Sequence, residues 1–219
     1  MQLNEIYTIS YSQPSEYRFS LDSIFLAQKV NDWLIQHHQD PQKIADVCAG
    51  CGVVGLELLF HLKKRMAVDP TTIHFIEVQA DYEIHFKKNK IEMLKTVESK
   101  TELTFILENY KNLIGQKNYQ KKYDLIICNP PYFHPGQGQL SPSDFKNRCR
   151  FFLDADFSSL VEWVSYSLAK NGSAFLLVRA DAESKSKQSI QDLSQKFHLN
   201  AQICADIRGT QLIRLFALA

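Results

Sequence analysis

The sequence predicts a doubly wound α/β protein, with a mostly parallel seven-stranded sheet and an antiparallel strand near the C-terminus. Three observations predict it. Short apolar runs alternate with segments of helical period along most of the chain. A glycine-rich turn, Gly50-Cys51-Gly52-Val53-Val54-Gly55, separates the first strand from the helix after it. Near the C-terminus two strand-like runs flank Arg208-Gly209, which is the spacing of a hairpin rather than of a crossover.

The elements follow in order. Asp22 to Gln36 has a helical pattern, with Ile24, Phe25, Val30, Trp33 and Leu34 on its apolar side. Strands are expected near 44–47, 73–77, 103–107, 125–128 and 174–178, with helices near 53–62, 80–95 and 157–169. The polar stretch Asp181 to Gln188 leads into a last helix near 189–197. Ala201 to Asp206 and Leu212 to Leu218 then pair around Arg208-Gly209. His134 to Arg150 has no periodicity and reads as a long loop, a feature that is commonly functional.

A chain of 219 residues builds one full core and is too short for two sizeable domains. We divide it into 1–43, a helical cap, and 44–219, the main α/β unit. Hydrophobic content of 45% and charged content of 22% are ordinary for a soluble globular protein. Neither a signal sequence nor an apolar run of membrane-spanning length is present, so the expectation is a cytoplasmic protein, monomeric or weakly dimeric. Net charge of +1 argues against a general nucleic-acid coat but allows a local basic patch.

Five cysteines at irregular spacing argue against a disulfide framework. Cys48-Ala49-Gly50-Cys51 is nominally C-x-x-C, yet the glycines explain that turn better as a ligand cradle than as a redox site. No second ligand pair stands at zinc spacing, and no metal is expected. Cys128 lies inside an apolar strand, where an inert buried thiol is the simpler state.

Gly50, Gly52 and Gly55 satisfy G-x-G-x-x-G, and Glu77 ends the next strand at about the spacing of a ribose-binding carboxylate. A nicotinamide or flavin would fit this much as well as any other nucleoside. Asp46 shifts the balance, because a carboxylate before the glycines repels a pyrophosphate but pairs with an ammonium group. S-adenosylmethionine carries an ammonium and a sulfonium and no phosphate.

A second motif, Asn129-Pro130-Pro131-Tyr132, comes directly after the run Tyr123 to Cys128, at a strand's carboxyl end, where open α/β sheets bind ligands. Proline lacks N–H and fixes φ, and the residue before it is held extended. The Asn129 side-chain carbonyl and the Pro130 backbone carbonyl can therefore serve as two fixed acceptors for a planar NH₂ group. Tyr132, with Phe133 beside it, offers a flat face to a ring. Taken alone, the tetrad could equally be a rigid turn.

With these motifs the chain resembles the class I S-adenosylmethionine-dependent methyltransferases that carry Asn-Pro-Pro-Tyr, and within them the bacterial enzymes that methylate N6 of adenine 37 in valine tRNA. The resemblance covers most of the chain, from Tyr17-Arg18-Phe19-Ser20-Leu21-Asp22-Ser23-Ile24-Phe25-Leu26-Ala27 through the glycine turn, Glu77 and Asn129 to Phe133, to Arg148-Cys149-Arg150. It implies a Rossmann-like class I methyltransferase fold, with residues 1–43 over the cofactor. It implies a cofactor site drawn from Asp22, Asp46, Cys48, Gly50, Gly52, Glu77, Val78, Glu108, Asn109 and Asn129. Asn129, Pro130 and Tyr132 would be catalytic. Pro131, Tyr132, Phe133, Arg148 and Arg150 would meet an RNA substrate, with the two arginines on phosphates.

The chain departs from the family pattern twice. Cys48 stands where the first motif glycine is usual, and Asn109, preceded by Glu108, stands where an acidic residue usually holds the adenine amine. Other functions stay open. Methylation of a release-factor glutamine uses the same tetrad, although those enzymes carry a helical domain upstream and only 43 residues precede Ile44 here. Guanine N2 methylation of ribosomal RNA, and a degenerate fold that only binds, are the remaining alternatives.

Overall fold

Strands apolar on both faces have to lie in the middle of a molecule, and the sheet does. The computed structural model describes residues 8–179 and 190–218. Its sheet has seven strands in the order β3-β2-β1-β4-β5-β7-β6. The strands are β1 (Lys43–Val47), β2 (Thr72–Glu77), β3 (Glu102–Leu107), β4 (Tyr123–Cys128), β5 (Leu168–Arg179), β6 (Leu199–Ile207) and β7 (Thr210–Ala217). The first five are mutually parallel, and β7 runs antiparallel between β5 and β6. The C-terminal hairpin turns at Arg208-Gly209, both at positive φ.

The helices are α1 (Leu21–Gln36), α2 (Val53–His61), α3 (Asp81–Val97), α4 (Asp144–Arg150), α5 (Phe157–Ser167) and α6 (Ile190–Lys196). Alternation along each strand sends side chains to two cores. Ile44, Ile73, Phe75, Leu125, Ile127 and Phe175 meet α1, α2 and α3 on one face. Ala45, Val47, Ile126 and Cys128 meet Leu160, Trp163 and Val164 of α5 on the other.

The strand order reverses between β1 and β4, and this positions the site. Parallel pairing puts Val47 opposite Cys128, so the turn after β1 and the tetrad after β4 leave the sheet side by side. That is the topological switch point at which doubly wound sheets open a crevice.

The N-terminal segment is tied down by a buried carboxylate. Glu57 of α2 accepts from the Thr8 N–H (3.1 Å), the Thr8 hydroxyl (2.8 Å) and the Tyr11 hydroxyl (2.8 Å). Burial pushes the Glu57 carboxyl above its ordinary range, against the pull of those bonds. Ser12 adds a pair of bonds to Asn89 of α3, at 2.7 and 2.9 Å. So anchored, the segment carries Tyr17 and Phe19 to the crevice.

Asp46 corrects a sequence expectation. It is fully buried and does not line the crevice. Its Oδ2 accepts from the Gly55 N–H at 2.8 Å, the third residue of α2. The carboxylate therefore satisfies one of the orphan donors at a helix start. The physical reason is strand alternation: Asp46 points under the turn rather than out of it. Burial raises its pKa well above the usual carboxylate value, against the Gly55 bond and with help from Glu77.

Three elements differ in extent from expectation. The stretch His134 to Arg150 ends in α4, which Ser143 caps by accepting from the Lys146 N–H at 3.2 Å. Seven residues with two apolar side chains, Phe145 and Cys149, are too few to display a period. β5 starts at Leu168 rather than near 174, through an irregular pairing with Tyr123 before Leu125 meets Ser173. Past His61, α2 widens into a π-helical turn, Leu62–Met66, which stops at Ala67 in the left-handed region. The polar stretch Asp181 to Gln188 lies outside the described residues. Among the described residues no helix is long and apolar enough to cross a membrane.

A Cβ at Gly55 would sit 2.6 Å from Phe75 Cε1 and 3.0 Å from Asp46 Oδ2. Gly55→Ala should therefore cost about 1–3 kcal/mol in denaturant unfolding, as overpacking does. Asp46→Ala should cost about 1–2 kcal/mol by removing the cap, whereas Asp46→Asn keeps a carbonyl for Gly55 and should melt no lower than the parent at pH 7. The sign comes from the raised carboxyl. Above the unfolded pKa the folded state retains a proton that the unfolded state has released. Stability thus falls as pH rises toward the folded pKa, and an amide at this position, which does not titrate, abolishes that loss.

Candidate active site

The crevice wall begins where β1 ends. Cys48, Gly50 and Gly52 have φ of +57°, +54° and +86°, and the N–H groups of the turn go to separate acceptors, Ala49 to the Ile76 carbonyl and Gly52 to the Ala49 carbonyl. Gly52 also has no room for a side chain, since a Cβ there would lie 2.8 Å from Phe86 Cδ2. Cys48 takes the left-handed conformation despite its Cβ and lines the crevice, with its thiol against buried Cys128. Burial pushes the Cys128 thiol well up, as the sequence expectation of an inert thiol requires.

Glu77 ends β2 and closes the turn from below. Its Oε2 accepts from the Gly50 N–H at 2.9 Å, and its Oε1 accepts from the Val78 and Gln79 N–H groups, each at 2.9 Å. Burial raises its carboxyl while these backbone bonds oppose the rise. A carboxylate offers about four lone-pair sites, so three bonds leave acceptor capacity. Glu77 and Val78 both line the crevice.

Glu108 and Asn109 come after β3, also in the wall, and their side chains are used differently. Asn109 Oδ1 accepts from the Lys111 N–H at 3.1 Å, and its Nδ2 donates to the Asp154 carbonyl at 2.9 Å. Glu108 Oε1 accepts from the Asn109 N–H (2.8 Å) and from Asn112 Nδ2 (2.9 Å). Those two bonds hold the Glu108 carboxyl below its usual value, so it stays ionised.

The tetrad forms the other side. Asn129 Nδ2 donates to the Ser23 hydroxyl at 3.0 Å, and Asn129 Oδ1 accepts from the Tyr132 hydroxyl at 2.5 Å. Pro130, Pro131 and Tyr132 line the crevice with it. The chain beyond is clamped by backbone bonds. The Tyr132 and Phe133 N–H groups both donate to the Arg150 carbonyl (3.1 and 3.0 Å), and the Phe152 N–H donates to the Phe133 carbonyl (2.8 Å). The loop from His134 thus returns to the tetrad and ends against it.

The two arginines expected on phosphates part company. Arg148 makes a bidentate pair with Asp154, Nη2 to Oδ1 at 2.8 Å and Nε to Oδ2 at 3.0 Å, and so turns into the wall. The Arg150 guanidinium lies 5.5 Å from the Phe133 ring centre, at the rim. Arg179, at the end of β5, lies 5.4 Å from the same ring and 6.0 Å from that of Tyr132. Asp22, expected at the cofactor, is outside the crevice wall, and its carboxylate accepts from Arg208 of the C-terminal hairpin at 3.3 Å.

Sequence reasoning missed Ser23 as a partner of the tetrad, Gln79, Tyr82 and Phe152 in the wall, and Arg179 at the rim. For Arg179 a signal existed, since it ends a strand beside β4 on the crevice edge. Among the described residues, no group of three or more His, Cys, Asp or Glu side chains could hold a metal ion.

Comparison with known proteins identifies the fold and the family. Residues 19–143 match the family model of the methyltransferase small domain. The tRNA1(Val) (adenine(37)-N6)-methyltransferase of Shewanella sediminis is 27% identical over 82% of this chain and 69% of its own length. The release factor glutamine methyltransferase of Borreliella burgdorferi is 29% identical over 46% of this chain and 30% of its own. The fold also matches the T. thermophilus 16S rRNA N2 G1207 methyltransferase (RsmC), solved with AdoMet and guanosine. That match has a TM-score of 0.60 at 16% identity, over 93% of this chain and 45% of the other. A left-handed glycine turn on a buried carboxylate, an amide-bearing tetrad on the adjacent strand, and a family match across both lead to one conclusion: the chain belongs to the methyltransferase small domain family.

Proposed function

We propose that the chain transfers a methyl group from S-adenosylmethionine to the exocyclic amine of an adenine, N6, in a tRNA. The observation that carries this reading is the Asn129 amide, fixed at both ends by hydroxyl groups and set in the same crevice as the glycine turn.

The residues present fit the cofactor. The left-handed turn at Gly50 and Gly52 supports close approach of a ligand to the backbone, and Glu77 has acceptor capacity left for ribose hydroxyls. Glu108 suits the adenine amine better than Asn109 does, because its carboxylate is ionised and both of its bonds within the protein fall on Oε1. When bound, the cofactor supplies an electrophilic methyl group on a sulfonium. Residues 8–36 carry Tyr17, Phe19, Ser20 and Ser23 to the crevice, which supports a covering role for the N-terminal part of the chain.

The tetrad's task is to activate a poor nucleophile. The lone pair of an aromatic amine is delocalised into its ring. Asn129 Oδ1 and the Pro130 carbonyl, accepting its two N–H bonds, would draw the nitrogen toward a tetrahedral shape and stabilise the positive charge that develops on it. The Tyr132 hydroxyl occupies only one lone pair of Oδ1, so the second is open to the amine. On taking the methyl group from the sulfonium, the nitrogen would shed one proton to water. Alignment of the reacting atoms supplies much of the rate.

An RNA substrate is supported by the rim. Phe133 has two guanidinium groups near its ring, at 5.5 and 5.4 Å from its centre, and His134 stacks on Phe152 with ring centres 5.3 Å apart. Aromatic faces beside arginines suit an unstacked base and its neighbouring phosphates. The phosphate role stays with Arg150, passes from Arg148 to Arg179, and leaves Arg148 as a wall residue.

Asn129→Ala should abolish transfer while leaving affinity for S-adenosylhomocysteine, by calorimetry, within about twofold, since the lost contact is to the target amine. Replacing Arg150 and Arg179 together by Gln should raise the apparent KM for RNA more than it alters cofactor affinity. With a net charge of only +1, the dependence of RNA affinity on log salt should be shallow. The direct test of the substrate is incubation of the chain with labelled methyl donor and bulk tRNA, ribosomal RNA and release factor in parallel. Label should enter tRNA as N6-methyladenine. Label entering only the protein would establish the glutamine reading instead.

A further inference from the structure

We infer that Ser23 is a positioning residue, which holds the Asn129 amide with its carbonyl toward the target amine. The inference rests on the methyl-transfer reading above. Ser23 lies in α1, 106 residues from Asn129 along the chain, and is 4% exposed. Its hydroxyl accepts from Asn129 Nδ2 at 3.0 Å, while Oδ1 at the other end of the amide takes the Tyr132 hydroxyl.

A primary amide turned end for end has nearly the same shape but the opposite function. With Oδ1 outward it accepts from an amine, and with Nδ2 outward it sets donor against donor. Both of its partners here are hydroxyls, which can donate or accept, so either orientation can be satisfied in the free protein. An incoming amine removes that freedom. Only the carbonyl-outward state can bind it, and in that state Nδ2 points at Ser23 and needs an acceptor there. Without the serine oxygen, the productive orientation strands an NH₂ group in a buried place. The turned state leaves a carbonyl there instead, which costs less than an unpaired N–H, so the balance moves toward the unproductive orientation. The N-terminal helix thus contributes to catalysis through one oxygen, without touching the substrate.

Ser23→Ala is the test, and alanine at the third position of a helix preserves the fold. The variant should lower kcat tenfold to a hundredfold, with the KM for RNA and the affinity for S-adenosylhomocysteine each within twofold of the parent. Ser23→Thr, which restores the hydroxyl, should recover most of the loss. A readout independent of turnover is the Asn129 side-chain NH₂ pair in the ¹⁵N NMR spectrum, assigned by its absence in Asn129→Ala. In Ser23→Ala that pair should shift and exchange faster with solvent. A normal kcat in Ser23→Ala, or an unchanged NH₂ pair, would overturn the inference while leaving the methyl-transfer reading intact. If the parent chain labels guanine or a glutamine amide instead of adenine, the substrate reading alone fails, and the same kcat comparison on that substrate decides the role of Ser23. A parent chain that binds no S-adenosylhomocysteine would overturn both.

Discussion

The site depends on one pairing, that of β1 with β4 in parallel and in register. Val47 opposite Cys128 makes the two strands end together, so the segments that leave them are held within reach of each other. After β1 comes a turn with three left-handed residues, and after β4 a segment stiffened by two prolines. Neither needs the other to adopt its shape. The sheet supplies their proximity, and both strands are buried on both faces, so a slip of one residue would reverse every side chain in the two cores.

Three buried carboxylates hold the parts around that pairing, each by accepting backbone N–H groups. Asp46 takes Gly55 and fixes the start of α2. Glu77 takes Gly50, Val78 and Gln79 and so fixes the turn. Glu57 takes Thr8 together with two hydroxyls and fixes the N-terminal segment. Burial raises the pKa of all three. They are tolerated because each supplies a partner to donors that would otherwise be stranded. Only Glu77 also faces the crevice, which makes it the point where scaffold and ligand chemistry meet.

Much of this was legible in the sequence, because the decisive features are local. Glycines that need positive φ, two consecutive prolines and an acidic residue at a strand end impose their geometry on a few neighbouring residues. The alternation of strands and helices along the chain and the C-terminal hairpin followed from period and spacing, and the family match agrees with the resemblance read from the motifs. The features that were not legible depend on distant partners. Asp46 sits beside the glycines in sequence, yet alternation along β1 sends it beneath them. Arg148 and Arg150 are two residues apart, yet Asp154 captures the first and leaves the second against Phe133. Ser23 acquires its partner from the segment after β4, and no spacing rule reaches 106 residues.

In the function proposed above, the Asn129 carbonyl receives the target amine in the crevice formed at the β1–β4 switch point. A crystal structure of the chain with S-adenosylhomocysteine and an RNA stem-loop carrying the methylatable adenine measures this directly. The base should lie unstacked against Tyr132, with its N6 within about 3.2 Å of Asn129 Oδ1, a hydrogen-bonding distance. Ser23 should still be bonded to Asn129 Nδ2. A base bound with N6 beyond hydrogen-bonding reach of Asn129, or a cofactor product lodged away from Gly50 and Glu77, would contradict it.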